Sequence, residues 1–366
     1  MIRNYFNKLD YAIGAEYYLT NEKVNREFTM NSNNFYVDEI VNLSDLGFNQ
    51  RSGNYIVFKL LKKNIDTYTA LIDISRRIKI PFENILFLGL KDKYATTSQY
   101  IFIKKELVDP SELINIEHSS YKLLFQGYVN RKPRKTNLIG NKFKVIIENL
   151  DDRNTCVLKN ILMKIDQYGL PSYYGYQRFG VKRFNSHILG KYLVLNRIDL
   201  FLHELLYSIY PCEETESILK RIENEFDSFI IERIVYRTSS LSKAVEKVNK
   251  QLRNLLIDAY GSYLYNLLLN NIIDKHGWSS LDKDYPTIGC IDYFEEYYRN
   301  IVLVESIPEN SIYLFKCWFR HGLFKPREIF LSRINNNSVL IEFKLERGFY
   351  ASIVLRELFK DNLIFC

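Results

Sequence analysis

Ile85-Leu86-Phe87-Leu88, then Gly89-Leu90-Lys91-Asp92-Lys93-Tyr94-Ala95-Thr96-Thr97-Ser98-Gln99, then Tyr100-Ile101-Phe102-Ile103: two apolar runs enclose a polar stretch. The runs read as buried strands. A turn loaded with Lys, Asp, Thr, Ser and Gln between two core strands is an expensive place for polar groups unless they are used. Composition alone makes it a solvated hairpin loop. The order of its residues changes that reading.

Working outward, residues 35–40 and 54–60 read as strands. Asp66 offers an N-cap to a helical stripe of Ala70, Leu71, Ile74 and Ile78. Strands are expected over 121–128 and 142–147, flanking a polar, basic connector. A helix is expected over 154–168, with Gly169 as its stop. Beyond residue 190 the texture turns helical, over 197–207, 213–226 and 242–275, the last interrupted near Gly261 and closed by Gly277. A β-rich stretch is expected over 287–319. A turn at Asn335-Asn336-Asn337, an alternating strand (Val339, Ile341, Phe343, Leu345) and a helix over 351–358 end the chain. The pattern predicts an α/β (α+β) domain, 1–190 with 322–366, interrupted by an inserted domain over 191–321.

The totals narrow the class. A chain of 366 residues is long for one domain. With 47% hydrophobic and 25% charged residues it is a folded, soluble type rather than a disordered one. The formal charge of +7 is compatible with a polyanionic partner. The cysteines (Cys156, Cys212, Cys290, Cys317, Cys366) are odd in number and lack metal-ligand spacing, so neither a metal site nor a disulfide framework is expected. No apolar run approaches the ~18 residues of a membrane span, and the N-terminus lacks an apolar signal core. A cytoplasmic monomer with no membrane contact is expected.

Five segments carry a family resemblance. Gly89-x-Lys91-Asp92-x-x-Ala95-x-Thr97-x-Gln99 resembles the signature of the TruD family of pseudouridine synthases, in which the Asp is catalytic. Lys63-Asn64-Ile65-Asp66-Thr67 resembles the family's Lys-x-x-x-x-Thr, and Gly140-Asn141-Lys142-Phe143 its Gly-Asn-x-Phe. Pro171-Ser172-Tyr173-Tyr174-Gly175-Tyr176-Gln177-Arg178-Phe179-Gly180 resembles Pro-Asn-Tyr-Phe-Gly-x-Gln-Arg-Phe-Gly. Gly348-Phe349-Tyr350-Ala351-Ser352-Ile353-Val354-Leu355-Arg356-Glu357-Leu358 resembles Gly-x-aromatic-Ala-Thr-x-x-x-Arg-Glu-Leu. The poorly matched 191–321 corresponds to the family's own inserted α+β domain.

The resemblance implies a mixed, mainly antiparallel sheet flanked by helices and a tRNA pseudouridine synthase acting at position 13 of the D arm. Asp92 is the expected catalytic residue, and no cofactor or metal is needed, because the isomerisation involves no redox change. Phe35, Ser172, Tyr174 and Tyr350 are the expected uridine contacts. In a chain with 28 Tyr and 24 Phe, only their places within motifs raise them above core aromatics. From Val129 to Lys144 six cations (Arg131, Lys132, Arg134, Lys135, Lys142, Lys144) run without an acid. A solvated face is the ordinary reading of such a run. Beside a tRNA partner, Arg131, Lys132, Arg134 and Lys135 are expected phosphate contacts, with Arg178 as a further RNA-binding candidate that could instead pin its own turn.

Departures from the family pattern fall near the expected site. Ser32-Asn33-Asn34 precedes Phe35 where the family has Pro-Glu-Asp, and Thr29 stands where it carries a Lys. Ser172 replaces Asn, Tyr174 replaces Phe and Ser352 replaces Thr. They motivate an alternative, a tRNA-binding or tRNA-folding protein with little catalysis, against which the intact loop around Asp92 argues. A carboxylate hydrolase would need a second acid in a motif, and Glu357 sits in a predicted helix.

Overall fold

The computed structural model describes residues 2–108, 116–180, 182–210, 213, 216 and 250–365. The chain divides into two compact units: a sheet unit, Val24–Asp166 with Lys325–Gly348, and a helical unit, Met1–Lys23, Gln167–Phe324 and Phe349–Cys366. The boundary expected at 190/191 falls inside the helix Ser186–Val194.

Among the described residues the sheet unit is built on nine strands: β1 (Phe35–Val41), β2 (Tyr55–Lys63), β3 (Ile85–Phe87), β4 (Thr96–Lys104), β5 (Glu117–His118), β6 (Tyr121–Val129), β7 (Leu138–Glu148), β8 (Arg327–Asn335) and β9 (Ser338–Glu346). Their order is β8-β9-β7-β1-β4-β2-β6-β5, with β3 also paired to β4. Every pairing is antiparallel except β1 with β4, where Tyr36 faces Thr96. Strand β2 shows the period of two that sorts side chains between faces. Ile56, Phe58 and Leu60 join Ile101, Ile103 and Leu123 against Ala70, Leu71 and Ile74 of the helix Thr67–Arg77. Tyr55 and Val57 pack the other way, with Leu46, Leu88, Phe102 and Val129. Asp66 caps the helix by accepting from the Thr69 amide at 2.9 Å, as its sequence predicts. The helix Asp152–Tyr168 buries Leu158, Ile161, Leu162 and Ile165 and stops at Gly169, whose φ of 71° suits glycine.

The spine of the helical unit is the helix Lys250–His276. It continues through Gly261, where a break is expected from sequence; the bare Cα leaves room for the Phe315 ring. The helix Ser186–Val194 lies against it so closely that a Cβ on Gly190 would run into the Leu256 carbonyl. The β-rich character expected over 287–319 is not found. Ile291–Tyr293, Phe294–Tyr297, Arg299–Glu305 and Glu309–Leu314 are helical turns, and only Phe319–His321 is a strand. The β-branched and aromatic residues Ile301, Val302, Ile312 and Phe315 of this stretch are buried all the same, so packing overrode propensity. Cys290 and Cys317 form a disulfide, a pairing their spacing did not announce. The helix expected over 213–226 lies almost wholly outside the described residues, as does 242–249. Among the described residues no helix is long and apolar enough to cross a membrane, and no cluster of His, Cys, Asp or Glu could hold a metal ion.

Candidate active site

Asp92 sits in the loop between β3 and β4, and that loop is fixed through its backbone. Strand β4 begins at Thr96, so the latter part of the polar stretch is buried strand rather than turn. Gln99, fully buried, donates from Nε2 to the Gly89 carbonyl at 3.3 Å. Its Oε1 accepts from the Thr67 hydroxyl at 3.0 Å, and the same hydroxyl oxygen accepts from the Lys91 amide at 3.2 Å. The Lys62 ammonium donates to the carbonyls of Ile65 (2.9 Å), Lys91 (3.2 Å) and Asp92 (2.8 Å). The Lys91 ammonium meets Glu39 Oε1 at 2.8 Å with both ends buried, and Glu39 Oε2 accepts from the Tyr100 amide at 2.8 Å. Amide, carbonyl and side chain of Lys91 are thus all held. Buried polar groups left unpaired are costly, so this frame resists rearrangement.

The Asp92 side chain is treated differently. It is exposed, and among the described residues no hydrogen bond or ion pair reaches its carboxylate. Surrounding protein raises its pKa above the ordinary 3.8, while the charges of Lys62 and Lys91 oppose that rise. Water access and low-dielectric surroundings coexist here, since an accessible group can still be ringed by protein. The frame delivers an ionisable carboxylate with free lone pairs, the form a nucleophile or general base requires.

The Lys of the Lys-x-x-x-x-Thr resemblance is Lys62, one position before the residue expected. Lys63 points outward and donates to Asn33 Oδ1 at 2.8 Å. Lys62 is 2% exposed. Sequence reading missed both Lys62 and Glu39, although a signal existed. Each continues the inward register of a core strand, Ile56-Phe58-Leu60-Lys62 and Phe35-Val37-Glu39. A charge in such a register must have partners. The same two lysines, Lys62 and Lys91, are the cations acting on Asp92, in a chain that carries Thr29 where the family has Lys.

Phe35 is buried and begins a row of rings across β1, β7 and β9, with Phe143 at 5.9 Å and Phe343 a further 5.3 Å on. In the basic run, Lys142 and Lys144 both pair with Glu342. Arg131, Lys132, Arg134 and Lys135 are exposed or nearly so and, among the described residues, without an ion pair. Lys132 also lines an open basin of about 640 Å³ with Lys104, Lys105, Asn54 and Asn130.

In the helical unit, Ser172 is fully buried; its hydroxyl donates to the His321 carbonyl and its amide to the Gly322 carbonyl at 2.8 Å. Tyr174 is held through its backbone, where Asn266 accepts from the amide at 2.8 Å and donates to the carbonyl at 3.2 Å. The Tyr174 ring lies 5.9 Å from the half-buried Tyr350 and 5.7 Å from Tyr265. Arg320 stacks over the Tyr174 ring at 4.4 Å while donating to the Ser172 carbonyl at 3.0 and 2.9 Å. Gly175 is required at this turn, because a Cβ would strike Ser352 Oγ and Tyr350 Cβ. Arg178 donates to Ser262 Oγ at 2.9 Å, so at least one of its nitrogens pins the turn. Arg320 and Asn266 lay within the stretch where no motif was matched.

The fold matches the crystal structure of the Methanosarcina mazei protein assigned to tRNA pseudouridine synthase D, with a TM-score of 0.69 at 21% identity over 98% of this chain and 99% of that one. The class is therefore the pseudouridine synthase fold. The family profile described as tRNA pseudouridine synthase D (TruD) matches residues 12–284. The chain is 26% identical over 379 residues to the tRNA pseudouridine synthase D of Aquifex aeolicus, covering 90% of this chain and 97% of the relative. It is 32% identical over 375 residues to the "Probable tRNA pseudouridine synthase D" of Thermococcus onnurineus, covering 84% and 89%. The chain belongs to the tRNA pseudouridine synthase D family.

Proposed function

We propose that this protein isomerises a uridine of tRNA to pseudouridine, with Asp92 as the catalytic carboxylate and position 13 of the D arm as the target. The observation that carries the reading is the contrast within the loop: a backbone held at Gly89, Lys91 and Asp92, and a carboxylate that nothing bonds among the described residues. The reaction breaks the bond from ribose C1′ to N1 of uracil, turns the base and joins C5 to C1′. The C5 proton is lost and N1 gains one, so atoms balance without a redox partner. Whether the carboxylate attacks C1′ or takes the C2′ proton, it needs a free lone pair.

A base must leave its stack to be reworked, and aromatic surface offsets part of that cost. Tyr174 and Tyr350 are proposed uridine contacts, as is Phe35; Ser172 shapes its segment from behind through the bond to His321. Arg131, Lys132, Arg134 and Lys135 are proposed phosphate contacts because among the described residues no acid pairs with them. Arg178 is proposed to reach RNA with the nitrogens that Ser262 leaves free. The test is direct: incubate unmodified tRNA with the protein, label pseudouridine with a carbodiimide and read reverse-transcriptase stops. A stop at position 13 that vanishes with Asp92→Asn is expected. A stop elsewhere would correct the target, and a persistent stop would remove Asp92 from the mechanism.

A further inference from the structure

The inward register of β2 ends on an ammonium where three apolar residues precede it. A buried lysine is ordinarily matched by a carboxylate; among the described residues no carboxylate bonds Lys62. All three of its hydrogen bonds go to carbonyl oxygens, and two of these belong to Lys91 and Asp92. The count matters, because an ammonium has three N–H donors, and a neutral amine has two donors and a lone pair. Facing three carbonyls, the neutral form must turn its lone pair on one of them.

We propose that Lys62 is a proton-dependent positioning residue: its ammonium fixes the backbone that carries Asp92, and loss of its proton frees a carbonyl and loosens the loop. The proposal rests on the reading of Asp92 as the catalytic carboxylate. Burial lowers the Lys62 pKa to about 8; the charges of Asp92 and Asp66 favour its proton and that of Lys91 opposes it. The ammonium therefore dominates at neutral pH and is lost in mild alkali.

Stability and activity should then move in opposite directions. Between pH ~8 and ~10.5 the unfolded chain keeps a proton on Lys62 that the folded chain has released, so this group's contribution to stability rises with pH. Catalysis falls over the same interval. A lysine with a merely structural role would not separate the two.

The experiment has an arm that needs no catalysis. Amide exchange of residues 88–95, corrected for the intrinsic rate, is followed from pH 7 to 9.5 without RNA; protection should drop as Lys62 titrates near pH 8. Unchanged protection overturns the proposal, whatever becomes of Asp92. In the second arm, single-turnover rates on tRNA are measured against pH. The wild-type rate should fall about tenfold per unit above pH ~8, the slope for one titrating group, with tRNA affinity flat. Lys62→Arg, which keeps its charge, should move that limb upward by a pH unit or more. Lys62→Met should cost about 10²-fold at every pH, through misplacement rather than weakened binding. The substrate's own uracil also deprotonates in alkali, so a limb unchanged in Lys62→Arg overturns the proposal. If neither variant folds, the wild-type exchange profile decides alone.

Discussion

Two motif segments of this chain bury charge, and they treat it in opposite ways. In the helical unit, Arg356 is 2% exposed and lies over the Tyr18 ring at 3.6 Å. Its guanidinium donates to Asp10 Oδ1 at 2.7 Å and to the carbonyls of Tyr17 and Ala15, both at 2.8 Å. Asp10 also accepts from the hydroxyls of Tyr18 and Tyr176. The next residue, Glu357, accepts from the amides of Leu19 and Thr20 and from Lys360, each at 2.9 Å. These charged side chains serve the fold. In the sheet unit the bonds of the buried Lys62 go instead to the loop backbone, and among the described residues the Asp92 carboxylate is left over. A motif thus contains two kinds of residue, and hydrogen-bond accounting separates them: satisfied charges are scaffold, and the unsatisfied one is available for chemistry.

That contrast can be broken most decisively at Asp92. Asp92→Asn should lower the single-turnover rate by about 10²–10⁴-fold or more while leaving the melting temperature unchanged, because among the described residues nothing bonds the carboxylate. A large loss of stability would place Asp92 with the scaffold. In wild type the ionised form is the active one, so the rate should fall on acidification through a pKa above 3.8.

The mirror experiment is Arg356→Met. It leaves Asp10 buried without its cation and should cost about 3–5 kcal/mol in denaturant unfolding. Turnover per folded molecule should hold. Abolished turnover in a stably folded variant would show that Arg356 belongs to the reaction.

The aromatic contacts sharpen the comparison at smaller magnitude. Among the described residues the Tyr174 hydroxyl makes no hydrogen bond, so Tyr174→Phe should be nearly neutral. Tyr174→Ala should lose about 1–3 kcal/mol in kcat/KM. A costly Tyr174→Phe would mean that the hydroxyl meets the RNA. Ser172→Asn would not repair such a loss, because Ser172 faces the 321–322 backbone.

The smallest effect per residue is expected on the exposed strip. Changing Arg131, Lys132, Arg134 and Lys135 to Gln should flatten the plot of log affinity against log salt by up to about 0.7–0.9 for each phosphate no longer neutralised. Catalysis on bound tRNA should be unaffected. An unchanged slope would return the strip to a solvated surface.

The sequence by itself determined the family, the strand–loop–strand around Asp92, most of the sheet and the caps at Asp66 and Gly169. These rest on local chemistry: alternation of side chains, capping oxygens, glycine at positive φ and an ordered run of motif residues. Lys62 and Glu39 were legible in principle, since strand parity points both inward, yet their partners were not. Only the tertiary structure decided that Lys62 grips three carbonyls, that Lys91 meets Glu39, that Ser172 turns to His321 and that 287–319 packs as helical turns. The reason is physical. Each of those outcomes depends on which segments distant in sequence come together, and a single chain's periodicity carries the direction of a side chain but not the identity of what it meets.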